Sequence, residues 1–247
     1  MLTFLHSTFS GLDNIDASLI CQWALEGFGA VAALKDGLKK VNFVATPNEA
    51  FQNGHWVVRD AVGQGVVLEF QDGLLHVFDD NNDDGETGFG VMTNEPRFPW
   101  QLEAIRHLQW KLKKARSAVA MPGAWYPDER FQRIYLVKHG MPEPKSYTEA
   151  ISQAVHTLNT ITVPMGQQRG TDTGSDHSSE GENDRTWWAS VYDHQTPALY
   201  WRSQTNQNLQ RIKLSDARLG VGEREGTLLT EATVLPFFSD AAGFVQR

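Results

Sequence analysis

With 247 residues, 40% of them hydrophobic, the chain can bury a full core as one large domain or two small ones. A formal net charge of -8 argues against phosphate-backbone binding, which needs clustered Lys and Arg, so no nucleic-acid partner is expected. The single cysteine, Cys21, excludes an intrachain disulfide framework and any multi-thiolate metal site built from this chain alone, and no apolar run reaches the roughly 18 residues of a membrane span.

Residues 2–11 lack the basic start and long apolar stretch of a signal peptide. From Asp16 the pattern turns helical: Ile20, Trp23 and Ala24 share a face, and Gly27 is a stop. Cys21 follows Leu19 and Ile20 in this pattern and is expected to be a buried, inert thiol. A second short helix carries Val31, Leu34 and Leu38 and ends before the apolar Val41, Phe43 and Val44 and the breaker Pro47. Three strands follow at 56–59, 66–70 and 74–78, joined by Gly63-Gln64-Gly65 and by the strong hairpin signal Asp72-Gly73. They read as an antiparallel meander. The stretch 79–86 holds five acids but lacks the spacing of a calcium loop, so it is expected to be solvated, and no metal is called for.

The run Gly90-Val91-Met92-Thr93-Asn94-Glu95-Pro96 comes next, with an Asn able to donate to an oxyanion and no Cys, Ser or Thr nucleophile motif beside it. Ile105, Leu108 and Leu112 then make the stripe of an amphipathic surface helix, with Arg106, Lys111, Lys113, Lys114 and Arg116 on its other faces. After the break at Pro122-Gly123, Tyr126-Pro127-Asp128 opens a helix whose inward side is Phe131, Ile134 and Tyr135. Arg130 falls in its first turn, where a cation opposes the helix dipole by about 0.3 to 1 kcal/mol. Such a placement hints at a role other than stability. Ser146 and Glu149 form a capping box for a helix with Tyr147, Ile151, Val155 and Leu158 on one face. Residues 171–184 hold five acids, no Lys or Arg and no large apolar side chain, and read as a mobile loop between two structured parts. Aromatic-rich strands at 186–192 and 198–202, and a third at 210–214, return the chain to sheet. Strands, then helices, then strands imply an α+β layered domain, taken as one domain over 1–247, rather than alternating βαβ units.

His55 through Asp60, Gly63 and Glu69 with the hairpin after it, then Met92-Thr93-Asn94-Glu95-Pro96 with Phe98 and Trp100-Gln101-Leu102, resemble the choloylglycine hydrolase and penicillin V acylase family. Glu129-Arg130-Phe131 is similar to that family's later Ser-Arg-Phe motif, Gln22-Trp23-Ala24-Leu25 to its helix before the meander, and Thr186-Trp187-Trp188 through Tyr192-Asp193 and Tyr200 to its closing hairpin. The resemblance covers residues 17–216. It implies an N-terminal nucleophile hydrolase, an αββα sandwich of antiparallel sheets between helix layers, which cleaves linear amides with a Cys at the mature amino terminus and needs no cofactor. The family's α-amine serves as base, at a pKa of about 7.7 to 8. Asn94 matches the position whose side-chain amide donates to the oxyanion, and Arg130 matches the active-site arginine.

The match departs at the start. The chain begins Met1-Leu2-Thr3, no Cys followed by an Arg and an Asp appears, and Cys21 sits in a helical pattern without a free amine. None of the eight His stands in a nucleophile motif, and His55 is expected to cap or pack. The chain is therefore expected to be the later part of a penicillin V acylase or conjugated bile-salt hydrolase type of enzyme, incomplete at its amino-terminal end and inactive alone. The alternative is a non-catalytic ligand-binding or degenerate fragment of that fold. Expected partners are a small-molecule amide and a missing amino-terminal segment or chain, with no membrane, and homo-oligomerisation left open. The compartment is cytoplasmic as the chain is written, and periplasmic if an export signal is lost with its amino terminus.

Overall fold

The computed structural model describes residues 12–44, 54–71, 74–81, 88–114, 121–164 and 185–216. Residues 2–11, Pro47, Asp72-Gly73, most of the acidic stretch 79–86 and all of 171–184 lie outside them. The chain divides into two compact units, Met1–His139 and Gly140–Arg247, each described by itself. The division falls before the capped helix at 147, so that helix belongs with the closing strands.

In the first unit, β1 (Asp13–Asp16) pairs in parallel with β2 (Val41–Val44), from Asp13 opposite Val41 to Asp16 opposite Val44. Between them run a short 3-10 turn and helices α1 (Ile20–Gly27) and α2 (Val31–Leu38). Asp16 caps the turn by accepting the Ser18 N–H at 2.8 Å. The expected faces are inward, with Ile20 and Ala24 of α1 and Val31, Leu34 and Leu38 of α2 buried. Cys21 is not: it is exposed, a correction to the buried thiol expected from its apolar neighbours. One helical residue turns the side chain by about 100°, so Ile20 and Ala24 face inward while Cys21 does not.

The meander forms as the turns imply, with β3 (His55–Arg59), β4 (Gly65–Gln71) and β5 (Leu74–Asp79) antiparallel in the order β3-β4-β5. Gly63 takes φ 87°, which an L side chain resists, so the β3–β4 turn uses that glycine. β4 is buried from Gly65 to Phe70, because helices cover both of its faces. Val66, Leu68 and Phe70 join α1, α2 and Phe43 in one core. On the opposite face, Val67 joins a second core with Phe98, Ile105 and Leu108 of α3 (Phe98–Lys114) and Phe131 and Tyr135 of α4 (Pro127–Gly140). Leu112, expected in the α3 stripe, is exposed, as the last turn extends past the core.

The second unit holds α5 (Tyr147–Asn159) and an antiparallel sheet of β6 (Trp188–Asp193), β7 (Ala198–Ser203) and β8 (Gln210–Lys213), in the order β6-β7-β8. Ser146 caps α5 by accepting the Glu149 N–H at 3.2 Å, and Glu149 reaches back to the N–H of Lys145, one residue before the usual capping-box partner. Ala198, Tyr200 and Trp201 of β7 are buried. The fold class is α+β, as the element order implies, with two antiparallel three-stranded sheets among the described residues.

Candidate active site

The run 90–96 is a shaped loop because buried polar groups hold it from several sides. Asp80, fully buried, accepts the Gly90 N–H at 2.9 Å on one oxygen and Arg59 Nη2 at 2.7 Å on the other. The expectation of a solvated acidic stretch is thus corrected at Asp80. A carboxylate enclosed here is supported by its cation and its amide donor. Gly90 has φ 63°, and Gly88 passes so close that a Cβ would lie 1.9 Å from Asp80 Oδ1, so both positions need the smallest residue. Lys138 of α4 donates to Phe89 O at 2.8 Å. The Glu95-Pro96 peptide bond is cis.

Gln101, 1% exposed on the inward side of α3, grips the loop's other end. Its Nε2 donates to the carbonyls of Asn94 and Pro96, and the Thr93 hydroxyl lies 3.0 Å from both Gln101 Oε1 and Pro127 O. With one proton, Thr93 donates to one of these acceptors at a time. Either bond links the loop to a helix, α3 through Gln101 or α4 through Pro127. Glu69, 1% exposed on β4, accepts the Phe98 N–H at 2.9 and 3.1 Å and lies 3.0 Å from His55 Nδ1. Both Glu69 oxygens accept from an N–H, so the imidazole proton on that side belongs on Nδ1. His55 packs against and orients Glu69, the carboxylate that holds the Phe98 N–H at the start of α3.

This framework brings together the two residues singled out from the sequence. Arg130 Nη2 donates to Asn94 Oδ1 at 2.7 Å. A guanidinium only donates, so the amide oxygen of Asn94 faces Arg130 and its NH₂ points away. Among the described residues that NH₂ has no acceptor, and Asn94 is exposed to solvent. A held amide with outward donors can stabilise negative charge developing on a neighbouring oxygen. Arg130 is positioned in turn by the start of α4, where Glu129 accepts the Ala124 N–H at 2.6 Å and Arg133 donates to Pro122 O and Ala124 O while lying over the Trp125 ring. Burial pulls the Arg133 pKa down and the nearby Glu129 pulls it up, the first effect being the larger.

Cys21 is on α1, outside this loop, and desolvation by its neighbours pushes its thiol up, away from the reactive thiolate. No cluster of three or more His, Cys, Asp and Glu suited to a metal occurs among the described residues. Gln101, Thr93, Glu69 and Asp80 escaped the sequence reading as site-shaping groups. A signal existed for two of them: Gln101 and Glu69 are polar residues at inward positions of otherwise apolar elements, and such groups need buried partners.

Comparison with known proteins identifies the class. The profile of linear amide C-N hydrolases, choloylglycine hydrolase family, matches residues 2–228, and the chain belongs to that family. Among individual relatives, it is 24% identical over 242 residues to a bile salt hydrolase/transferase of Clostridium perfringens, a match covering 90% of this chain and 69% of the relative. It superposes on a variant of conjugated bile acid hydrolase from C. perfringens with a TM-score of 0.66 at 23% identity, covering 87% of this chain and 67% of that one. The penicillin V acylase of Agrobacterium tumefaciens gives 0.64 at 20% identity, covering 85% and 59%. The fold is therefore that of the N-terminal nucleophile hydrolases, as the resemblance implied. No described helix is long and apolar enough to cross a membrane.

Proposed function

We propose that the chain supplies the oxyanion-binding part of a hydrolase for linear amides of the penicillin V or conjugated bile-salt type. The observation that carries this reading is the Arg130–Asn94 contact of 2.7 Å, which turns the Asn94 NH₂ outward from a loop fixed on three sides. The nucleophile in this reading is an amino-terminal Cys on a segment outside these 247 residues. Its α-amine takes the thiol proton, the thiolate adds to the amide carbonyl, and the carbonyl π electrons move onto oxygen. Asn94 Nδ2 donates to that oxyanion, while Arg130 holds the amide and adds positive charge nearby. On collapse the leaving nitrogen takes that proton from the α-ammonium and departs as the amine, and water, giving a proton to the freed α-amine, hydrolyses the thioester to the carboxylic acid and returns the thiol.

Family membership and the placement of Asn94 support this reading, and the raised thiol pKa and helical setting of Cys21 argue against that residue as nucleophile. In the form completed with a Cys-led segment, Asn94→Ala should lower turnover by about two to three orders of magnitude, the usual loss for one oxyanion donor. Turnover unchanged by that substitution would remove Asn94 from the mechanism.

A further inference from the structure

In the second unit, the apolar stripe of α5 has the spacing of a core face, yet none of the helix is buried. Ile151 and Val155 of that stripe, with Leu209 before β8, instead wall a groove of about 440 Å³. That volume lies in the range of small-molecule sites, roughly 300 to 1,000 Å³. Leu209 and Tyr147 are 44% and 45% exposed, so apolar surface is left open at its mouth.

Thr148, Ser152, His156, Asn159 and the phenols of Tyr147 and Tyr200 line the rest of the groove, with no carboxylate among them. Arg211 is the one Lys, Arg, Asp or Glu lining it, and among the described residues it has no ion-pair partner. The Tyr147 and Tyr200 hydroxyls hydrogen-bond each other. Two phenols hold two protons; one lies between them and Tyr147 also hydrogen-bonds the Asp193 carboxylate, so the phenols are held in place and Arg211 is the group left to meet a guest. The bond with Tyr200, with desolvation added, pushes the Tyr147 phenol above its ordinary range, so this wall brings no negative charge at neutral pH. Asp193, which hydrogen-bonds the Tyr147 hydroxyl and accepts the Gln195 N–H at 2.9 Å, does not itself line the groove.

We propose that this groove binds an amphipathic organic anion, a molecule with an apolar body and a single carboxylate, with the carboxylate at Arg211 and the body along Ile151, Val155 and Leu209. A cationic or neutral amphiphile would leave Arg211 uncompensated. The inference does not depend on amide cleavage.

The test titrates the full chain with decanoate, below its micelle concentration, by calorimetry, with decyltrimethylammonium and 1-decanol as matched probes. Decanoate should bind saturably and at least tenfold more tightly than either. Arg211→Gln, at an exposed position that the fold does not need, should weaken decanoate at least tenfold while leaving the circular dichroism spectrum and the 1-decanol affinity unchanged. Absence of saturable decanoate binding, equal affinity for the three probes, or decanoate affinity unaltered by Arg211→Gln would overturn the proposal.

Discussion

At the scale of single residues, the site is built from buried polar groups that each satisfy a specific backbone partner. Gln101 shows the dependence most clearly. In Gln101→Leu the volume stays similar, but the partly buried Asn94 and Pro96 carbonyls lose their donor. Each buried acceptor left unpaired costs about 1 to 3 kcal/mol. Urea denaturation should show a loss of about 2 kcal/mol or more, and a variant as stable as the parent would contradict the clamp. The sequence singled out Asn94 for its amide and Arg130 for its place in a helix's first turn, but only the resemblance joined them, since 35 residues lie between them and no local pattern predicts their contact. Gln101 and Glu69 were legible in principle, as polar residues among inward-facing apolar ones. The placement of Cys21 was misread because adjacent apolar residues say little about a helical position; Leu19, one of those neighbours, is itself 48% exposed.

At the scale of elements, local signals carried far where turns and periodicity agree. The meander emerged because Gly63 and Asp72-Gly73 punctuate short β-branched runs, and the α5 cap because Ser146 and Glu149 stand at capping distance. The β1–β2 pair had no such signal: Asp13-Asn14-Ile15-Asp16 has little strand propensity, and its parallel partner is 28 residues away. Asp60 gives a prediction at this scale. It accepts the Val31 N–H at the start of α2 at 3.1 Å and the Gln64 and Val62 N–H groups of the β3–β4 turn. The Val31 N–H first, against desolvation, and then the turn amides hold its carboxyl below its ordinary value of 3.8. A depressed folded-state pKa stabilises above the unfolded value and loses that contribution as pH falls through the folded one. Asp60→Asn should therefore be less stable than the parent at pH 7, with the gap narrowing below about pH 4. A gap constant from pH 7 to pH 3 would show that the charge on Asp60 contributes nothing.

At the scale of the whole molecule, the order of strands and helices was enough for the α+β class, and the ordered set of motifs around Asn94 and Arg130 was enough for the family. What sequence reasoning missed is the packing that makes β4 central to both cores of the first unit and lets Glu69 reach from its strand to the start of α3. That arrangement depends on contacts between residues distant in the chain, such as the pairing of Phe98 with Glu69 across 29 positions. In the proposed function these residues stabilise the transition state of amide cleavage once a nucleophile is supplied. Its most direct test incubates the chain alone, and the chain with a Cys-led amino-terminal segment, with penicillin V and with glycine-conjugated bile acids, and measures the amine released. Amine should be released only in the presence of the segment, and alkylating its terminal Cys should abolish the release; no amine from either mixture would overturn the proposed role of Asn94 and Arg130.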